Sequence, residues 1–352
     1  MSTYLVTGAC GFIGTNFVRY LLKQAPVEKI VCVDNLSFGG IRASLSPVEH
    51  AVEFVLGDIA DMDAMRDVYK RFQPDFVVNF AAESHNDRAI VDSIPFVRTN
   101  ALGAHTMLEC SRIMPVRAHL QVSTIEVYGE LPPDVSYFNE ASPLNAKTPY
   151  SASKASGDLI TRAYMQTYPE MNITLTHCAN NYGPYQLPEK LVPLAITNVL
   201  RGRKAPIYGD GKQMRDWLHV DDHCEALYRI LHREATDIPV EAATHPEHLP
   251  IFDVSARHEL HNIVVVEMII RALGYEPSDW IEYVRDRPNH DRRYLIDPSK
   301  LEDELGWKPS ISFEQGLEDT VKWYRDNEDW WTHVLDSKGD LETRWGDAQP
   351  PA

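Results

Sequence analysis

The stretch YLVTGACGFIG, residues 4–14, limits the possible architecture more than any other part of the chain. An apolar strand runs into a glycine-punctuated turn, and an amphipathic helix follows at once. Gly8, Gly11 and Gly14 are spaced G-x-x-G-x-x-G. Glycines there let the backbone turn sharply and approach a pyrophosphate at the helix N-terminus. A tight turn alone would also use glycine, so the deciding residue lies further on. Asp34 ends the second strand pattern, twenty residues after Gly14, where an acid would bind a ribose 2′-hydroxyl. The same acid would repel a 2′-phosphate, and no Arg or Lys follows until Arg42. The expected cofactor is NAD, not NADP.

Beyond this turn, short apolar runs alternate with longer amphipathic stretches. The runs are Tyr4–Val6, Ile30–Val33, Val52–Leu56, Phe76–Phe80, Ala118–Val122 and Ile173–Cys178. Helical patterns lie at Phe12–Lys23, Asp63–Phe72, Phe96–Ile113 and Tyr150–Tyr168. The alternation predicts an α/β fold, a Rossmann-type doubly wound parallel sheet with helices on both faces. The second half is more broken, richer in Pro, and reads as a smaller mixed α/β substrate portion. We expect a cofactor domain over 1–180, joined by part of 206–235, and a substrate domain over 181–335. One aromatic-rich helix is expected from Phe313 to Val334, with a flexible tail over 336–352.

Charge narrows the partners. With 34 Lys+Arg against 51 Asp+Glu, the net charge of −17 argues against nucleic acid or an anionic membrane surface. Met1 runs directly into a strand pattern and no apolar run approaches a membrane span, so a cytoplasmic enzyme is expected. Five scattered cysteines and fourteen histidines show no metal-ligand spacing, and reduced thiols without a metal are expected. Apolar residues on Phe96–Ile113 and Tyr150–Tyr168 exceed what one sheet face needs, which suggests a homodimer built on those helices.

Tyr150 and Lys154 stand at i and i+4 in PYSASKASGD, on one face of one helix. An ammonium near a phenol favours the phenolate, which could deprotonate a substrate hydroxyl as its carbon loses hydride. An exposed helix pair would be the plainer reading. The glycine loop and Thr124 at a strand end make the combination specific.

At this point the chain resembles the extended short-chain dehydrogenase/reductases, and in detail the dTDP-glucose 4,6-dehydratase family, from Tyr4 to about Trp331. The resemblance rests on TGACGFIG, AAESHNDRAI, FVRTN, STIEVYGE, PYSASKASGD, NNYGPYQLPEKLVPL, PIYGDGKQMRDWLHVDDH and DRPNHDRRYLID. It implies NAD contacts at Phe12, Ile13, Asp34, Asn35, Asp58, Ile59, Thr99, Tyr150, Lys154 and Asn181, with Ala81 and Ala82 beside the cofactor. It implies contacts to a dTDP- or UDP-hexose at Ser84, Thr124, Asn180, Lys190, Leu191, Pro206, Tyr208, Arg215, Arg287 and His290. Lys190, Arg215 and Arg287 would hold the diphosphate, supplying the local positive charge that the overall composition lacks. The family's reaction oxidises C4, removes the C5 proton, loses water from C6 and returns the hydride there.

Glu126 occupies the position of the family's C5 base. The residue before it, an Asp that serves as acid in the family, is Ile125 here, and isoleucine cannot donate a proton. Other departures are Asn86 where SHVDR has Val, His177 and Ala179 where RCSNNYGP has Arg and Ser, and Asn289 where DRPGH has Gly. One reading keeps 4,6-dehydration, with Glu126 returning its proton to the leaving hydroxyl. A second keeps C4 oxidation without elimination, giving C4 or C5 epimerisation, or decarboxylation of a uronic acid. A third is a catalytically silent nucleotide-sugar binder. Retention of Glu126 favours the first, and intact Thr124, Tyr150 and Lys154 oppose the third.

Overall fold

The computed structural model describes residues 2–24, 27–233, 248–286 and 290–338. Its main sheet has seven parallel strands: β1 (Ser2–Thr7), β2 (Val27–Asp34), β3 (Glu53–Leu56), β4 (Phe76–Asn79), β5 (Ala118–Thr124), β6 (Ile173–Cys178) and Ile251–Val254. The spatial order runs Ile251–Val254, β6, β5, β4, β1, β2, β3. The reversal at β1 is the switch point of a doubly wound sheet, where ligands lie beyond the carboxyl ends of the strands. Both faces carry apolar clusters. One holds Val6, Phe17, Leu120 and Trp307, and the other Leu5, Met65, Val77 and Met107.

The helix Phe12–Lys23 has the predicted bounds. Its first turn can form because Gly8 adopts φ 64° and Gly14 sits where a Cβ would lie 2.2 Å from the Gly8 carbonyl oxygen. The expected Phe96–Ile113 helix starts at Ile94, passes through a π-helical segment at Arg98–Gly103 and ends at Ile113.

The second half divides between two cores. The helix Val220–Leu231, within 206–235, packs its Leu227, Ile230 and Leu231 into the sheet's cluster. Ile251–Val254 pairs with β6 as a seventh strand, which the sequence pattern did not suggest. A separate core gathers Val192, Ile196, Ile207, Trp217, Val266, Ile270, Phe313 and Tyr324. The aromatic helix is two helices, Phe313–Asp326 and Glu328–Lys338. Between them Asn327 leaves the helical conformation, and its side-chain Nδ2 donates to the Trp323 carbonyl 2.9 Å away. The second helix runs to Lys338, past the expected start of the tail, and 339–352 lie outside the described residues.

Candidate active site

A cavity of about 280 Å³ opens along the carboxyl ends of β1, β2, β4 and β5. Gly8, Gly11, Phe12, Ile13 and Gly14 line its floor, and Asp34, Asn35 and Ile59 its far end. Ala81, Ala82, Ser84 and Thr99 form one wall. Thr124, Glu126, Tyr150, Lys154, Asn180, Asn181 and Lys190 close the near end.

The donors and acceptors fit a dinucleotide. Gly8 and Gly14 keep the backbone bare where a Cβ would strike other backbone atoms. Asp34 accepts from Cys10 N at 2.9 Å and from Leu36 N at 2.8 Å, which fixes its carboxylate at the end of the cavity. Burial pushes its pKa up, and those two N–H groups oppose the shift. Asp58 stands apart. It lines neither described cavity, accepts from Ala60 N at 2.9 Å and pairs with Arg98 at 3.2 Å.

At the near end Thr124 finishes β5, and its hydroxyl oxygen accepts from Glu126 N at 3.3 Å. Tyr150 and Lys154 project from the helix Pro149–Thr167, whose start is fixed by a capping box between Thr148 and Ser151. Burial raises the Tyr150 pKa well above the usual phenol value, the Glu126 charge adds to that, and the neighbouring Thr124 hydroxyl works against it. The Lys154 ammonium donates to the Val122 carbonyl at 2.8 Å, and burial lowers its pKa despite Asp158 one turn on.

A second cavity, of about 200 Å³, adjoins the first. It takes in Leu191, Pro206, Tyr208, Arg215 and His290. Tyr208 donates to Asp87 at 2.9 Å, and its ring meets His290 edge-on. Arg215 donates to the Met214 and Asp291 carbonyls, both at 2.8 Å, with its guanidinium over the Tyr294 ring. Arg287 and Asn289 lie outside the described residues. His85, Glu126, Asn180, Glu189 and Lys190 line both cavities. The buried Asn180 Oδ1 has no partner among the described residues, as expected of an acceptor meant for a ligand donor.

Three features of the site escaped the sequence reading. His85 Nε2 lies 2.9 Å from Glu189 Oε2, and Lys190 donates to the Ser84 carbonyl at 3.0 Å. Burial alone would raise the Glu189 pKa, yet Lys190 and His85 hold it below the usual value. Asn86 Nδ2 donates to Glu126 Oε2 at 2.9 Å. Ile125, finally, lines neither cavity. It is 1% exposed and packs with Val127, Phe138, Leu295 and Ile296. A signal for the first was present, since AAESHNDRAI and PEK are polar stretches after apolar elements, but the pairing of Ser84 and His85 with Lys190 and Glu189 spans about a hundred residues.

A glycine-floored cleft at the switch point, continuous with a second cavity and flanked by Thr124, Tyr150 and Lys154, defines an extended short-chain dehydrogenase/reductase. More narrowly, the chain belongs to the family described as GDP-mannose 4,6 dehydratase, whose model matches residues 5–320. It is 45% identical to the dTDP-glucose 4,6-dehydratase of Mycolicibacterium smegmatis over 95% of this chain and 96% of that one. Among solved structures it is similar to the Bacillus anthracis dTDP-glucose 4,6-dehydratase in complex with NAD, with a TM-score of 0.85 and 42% identity over 95% of this chain and all of that one. The Streptomyces venezuelae dTDP-glucose 4,6-dehydratase, also with NAD bound, has a TM-score of 0.85 and 40% identity over 94% of this chain and 99% of that one. Among the described residues no helix is long and apolar enough to cross a membrane, and no group of His, Cys, Asp or Glu could hold a metal.

Proposed function

We propose that the protein is an NAD-dependent nucleotide-sugar 4,6-dehydratase acting on a dTDP-hexose. The observation that carries this is Glu126 in the wall shared by the two cavities, on the same side as Thr124 and Tyr150. NAD, when bound, supplies reversible hydride storage. The glycine floor and Asp34 bind it, while Lys190, Tyr208, Arg215 and His290 take the nucleotide diphosphate. Thr124 and Tyr150 share the 4-hydroxyl, and Tyr150 accepts its proton as C4 is oxidised. The 4-ketone acidifies C5–H. Glu126 takes that proton, the C5–H electron pair forms the C5–C6 double bond, and the 6-hydroxyl departs. Ile125 seals an apolar cluster and has no proton to give. The proton captured by Glu126 is therefore the one returned to the leaving oxygen as water, and the hydride taken from C4 would return to C6 as C5 takes up a proton from solvent, balancing the one Tyr150 received.

Incubating purified protein with dTDP-glucose, UDP-glucose, UDP-N-acetylglucosamine and UDP-glucuronate, then weighing the products, tests this reading. A loss of 18 mass units with dTDP-glucose is expected. An unchanged mass with altered stereochemistry would assign an epimerase, and a loss of 44 a decarboxylase.

We further infer a homodimer, and a cytoplasmic setting consistent with five free, buried cysteines. Val97 (56%), Leu102 (50%) and Leu159 (60%) stand exposed on two helical segments packed so closely that a Cβ on Gly157 would lie 2.5 Å from the Asn100 carbonyl. Such a face invites a second copy. Light scattering should give twice the 40.0 kDa chain mass, and a monomer at micromolar concentration would refute the assignment.

A further inference from the structure

Asn86 departs from its family's pattern, and the fold gives it a specific place. It begins the short helix Asn86–Val91, is 8% exposed and lines the second cavity. Its Nδ2 donates to Glu126 Oε2 at 2.9 Å, and its Oδ1 accepts from the Thr148 hydroxyl at 3.1 Å. Thr148 is the N-cap of the helix carrying Tyr150, and its Oγ1 accepts from Ser151 N at 3.1 Å.

These partners leave the amide one orientation. An ionised carboxylate only accepts, so it must face the NH₂ end of Asn86. The carbonyl end is then left for Thr148. The Thr148 oxygen already receives a backbone N–H, so its own proton is available to that carbonyl. The relay runs from the cap of the catalytic helix, through one amide, to the carboxylate in the shared wall. A valine there could offer neither end of it.

We propose that Asn86 is a positioning residue that aims the Glu126 carboxylate at the sugar and ties it to the helix holding Tyr150. This rests on the reading of Glu126 as the C5 base. With the amide in place, the proton acceptor at C5 and the proton acceptor at the 4-hydroxyl move as one body. Without it, Glu126 hangs from the strand end and the residue's side-chain torsions are free to turn.

The test compares Asn86→Leu and Asn86→Asp with the intact full-length enzyme, alongside Glu126→Gln. Asn86→Asp keeps the shape and the acceptor for Thr148 but replaces the donor with a like charge, so it controls for folding. In both Asn86 variants, substrate-dependent formation of reduced NAD should stay within about threefold of wild type, while product formation falls on the order of 10²-fold from misplacement of the base. KM should change little against that fall in kcat. The primary isotope effect with C5-deuterated substrate should rise and the C4 effect should not. Loss of C4 oxidation and C5 chemistry together would make Asn86 a merely structural residue and overturn the proposal. So would wild-type kcat and an unchanged C5 isotope effect in both variants. If Glu126→Gln itself still forms product, the base reading fails, a result distinct from failure of the Asn86 relay.

Discussion

The two halves of the cleft are built from different materials. The cofactor half is mostly backbone: bare glycines, strand ends and N–H groups that clamp Asp34. The sugar half is mostly side chains paired across distant segments, such as His85 with Glu189, Tyr208 with Asp87 and Asn86 with Glu126. The first half is intolerant of added atoms, because backbone cannot turn aside. The second can trade partners while keeping its outline. Asn86 falls on the side where substitution is structurally feasible, whereas Ile125 belongs to neither half and sits in an apolar cluster behind them.

The largest effect should come from adding atoms to the first half. In Gly14→Val the Cβ would meet the Gly8 carbonyl oxygen at 2.2 Å, with no side chain free to yield. We expect wild type to co-purify with NAD, and this variant to lose it at a cost above about 3 kcal/mol in stability. Denaturing the purified variant and identifying the released nucleotide checks this. A full complement of NAD would erase the contrast between the halves.

Next comes Ile125→Asp. Placing a carboxyl in the cluster of Val127, Phe138, Leu295 and Ile296 should cost about 3 kcal/mol in denaturant titrations. Dehydration should rise less than about tenfold, well short of the 10²–10⁴ of an effective general acid. The larger gain would mean that position 125 reaches the sugar after all.

A smaller, pH-dependent effect belongs to the core behind both halves. His177 is fully buried, with Asp158 3.2 Å from one ring nitrogen and Asp253 2.9 Å from the other. Burial alone would depress its pKa, but the two carboxylates lift it to about 9. Burial pushes Asp253 up as well, against His177 and Tyr128. With a carboxylate at each ring nitrogen, the shared proton belongs to His177. Because the folded value exceeds the unfolded one of about 6.5, its stabilisation is complete below pH 6.5 and fades as pH climbs through 9. The neighbouring Glu140, raised to about 7 by burial, has already ionised by then. In denaturant titrations between pH 7.5 and 10, the stability of wild type relative to His177→Gln should fall by about 2 kcal/mol, the ionisation of other buried groups cancelling in the difference.

The mildest change is Tyr208→Phe, which removes the hydrogen bond to Asp87. It should raise KM for the sugar nucleotide by roughly three- to tenfold, about 1 kcal/mol, and leave NAD retention untouched. Loss of NAD in this variant would show that the two halves cannot be perturbed separately.

The parts of the molecule that could be read from sequence are those whose causes are local. The six apolar runs and the Phe12–Lys23 helix announce themselves by periodicity, and Gly8, Asp34, Tyr150 and Lys154 by spacing. Ile251–Val254 was missed because a four-residue strand carrying the buried Asp253 shows no alternation, and its partner β6 lies some seventy residues earlier. The break at Asn327 was missed because Trp330 and Trp331 continue an aromatic pattern across it. In the site, Glu126 stood out as a lone carboxylate between apolar neighbours. Its partner Asn86 lies forty positions away, and no local rule joins them.

The wall common to the two cavities carries a thermodynamic consequence. His85, Glu126, Asn180, Glu189 and Lys190 face whatever occupies either side. Ordering them for one occupant alters the free energy of receiving the other, and linkage makes that influence equal in both directions. Whatever factor NAD contributes to the affinity for the sugar nucleotide, the sugar nucleotide contributes to the affinity for NAD. Where that factor exceeds one, a filled sugar side slows the escape of NAD, and a diffusible coenzyme behaves as a resident one.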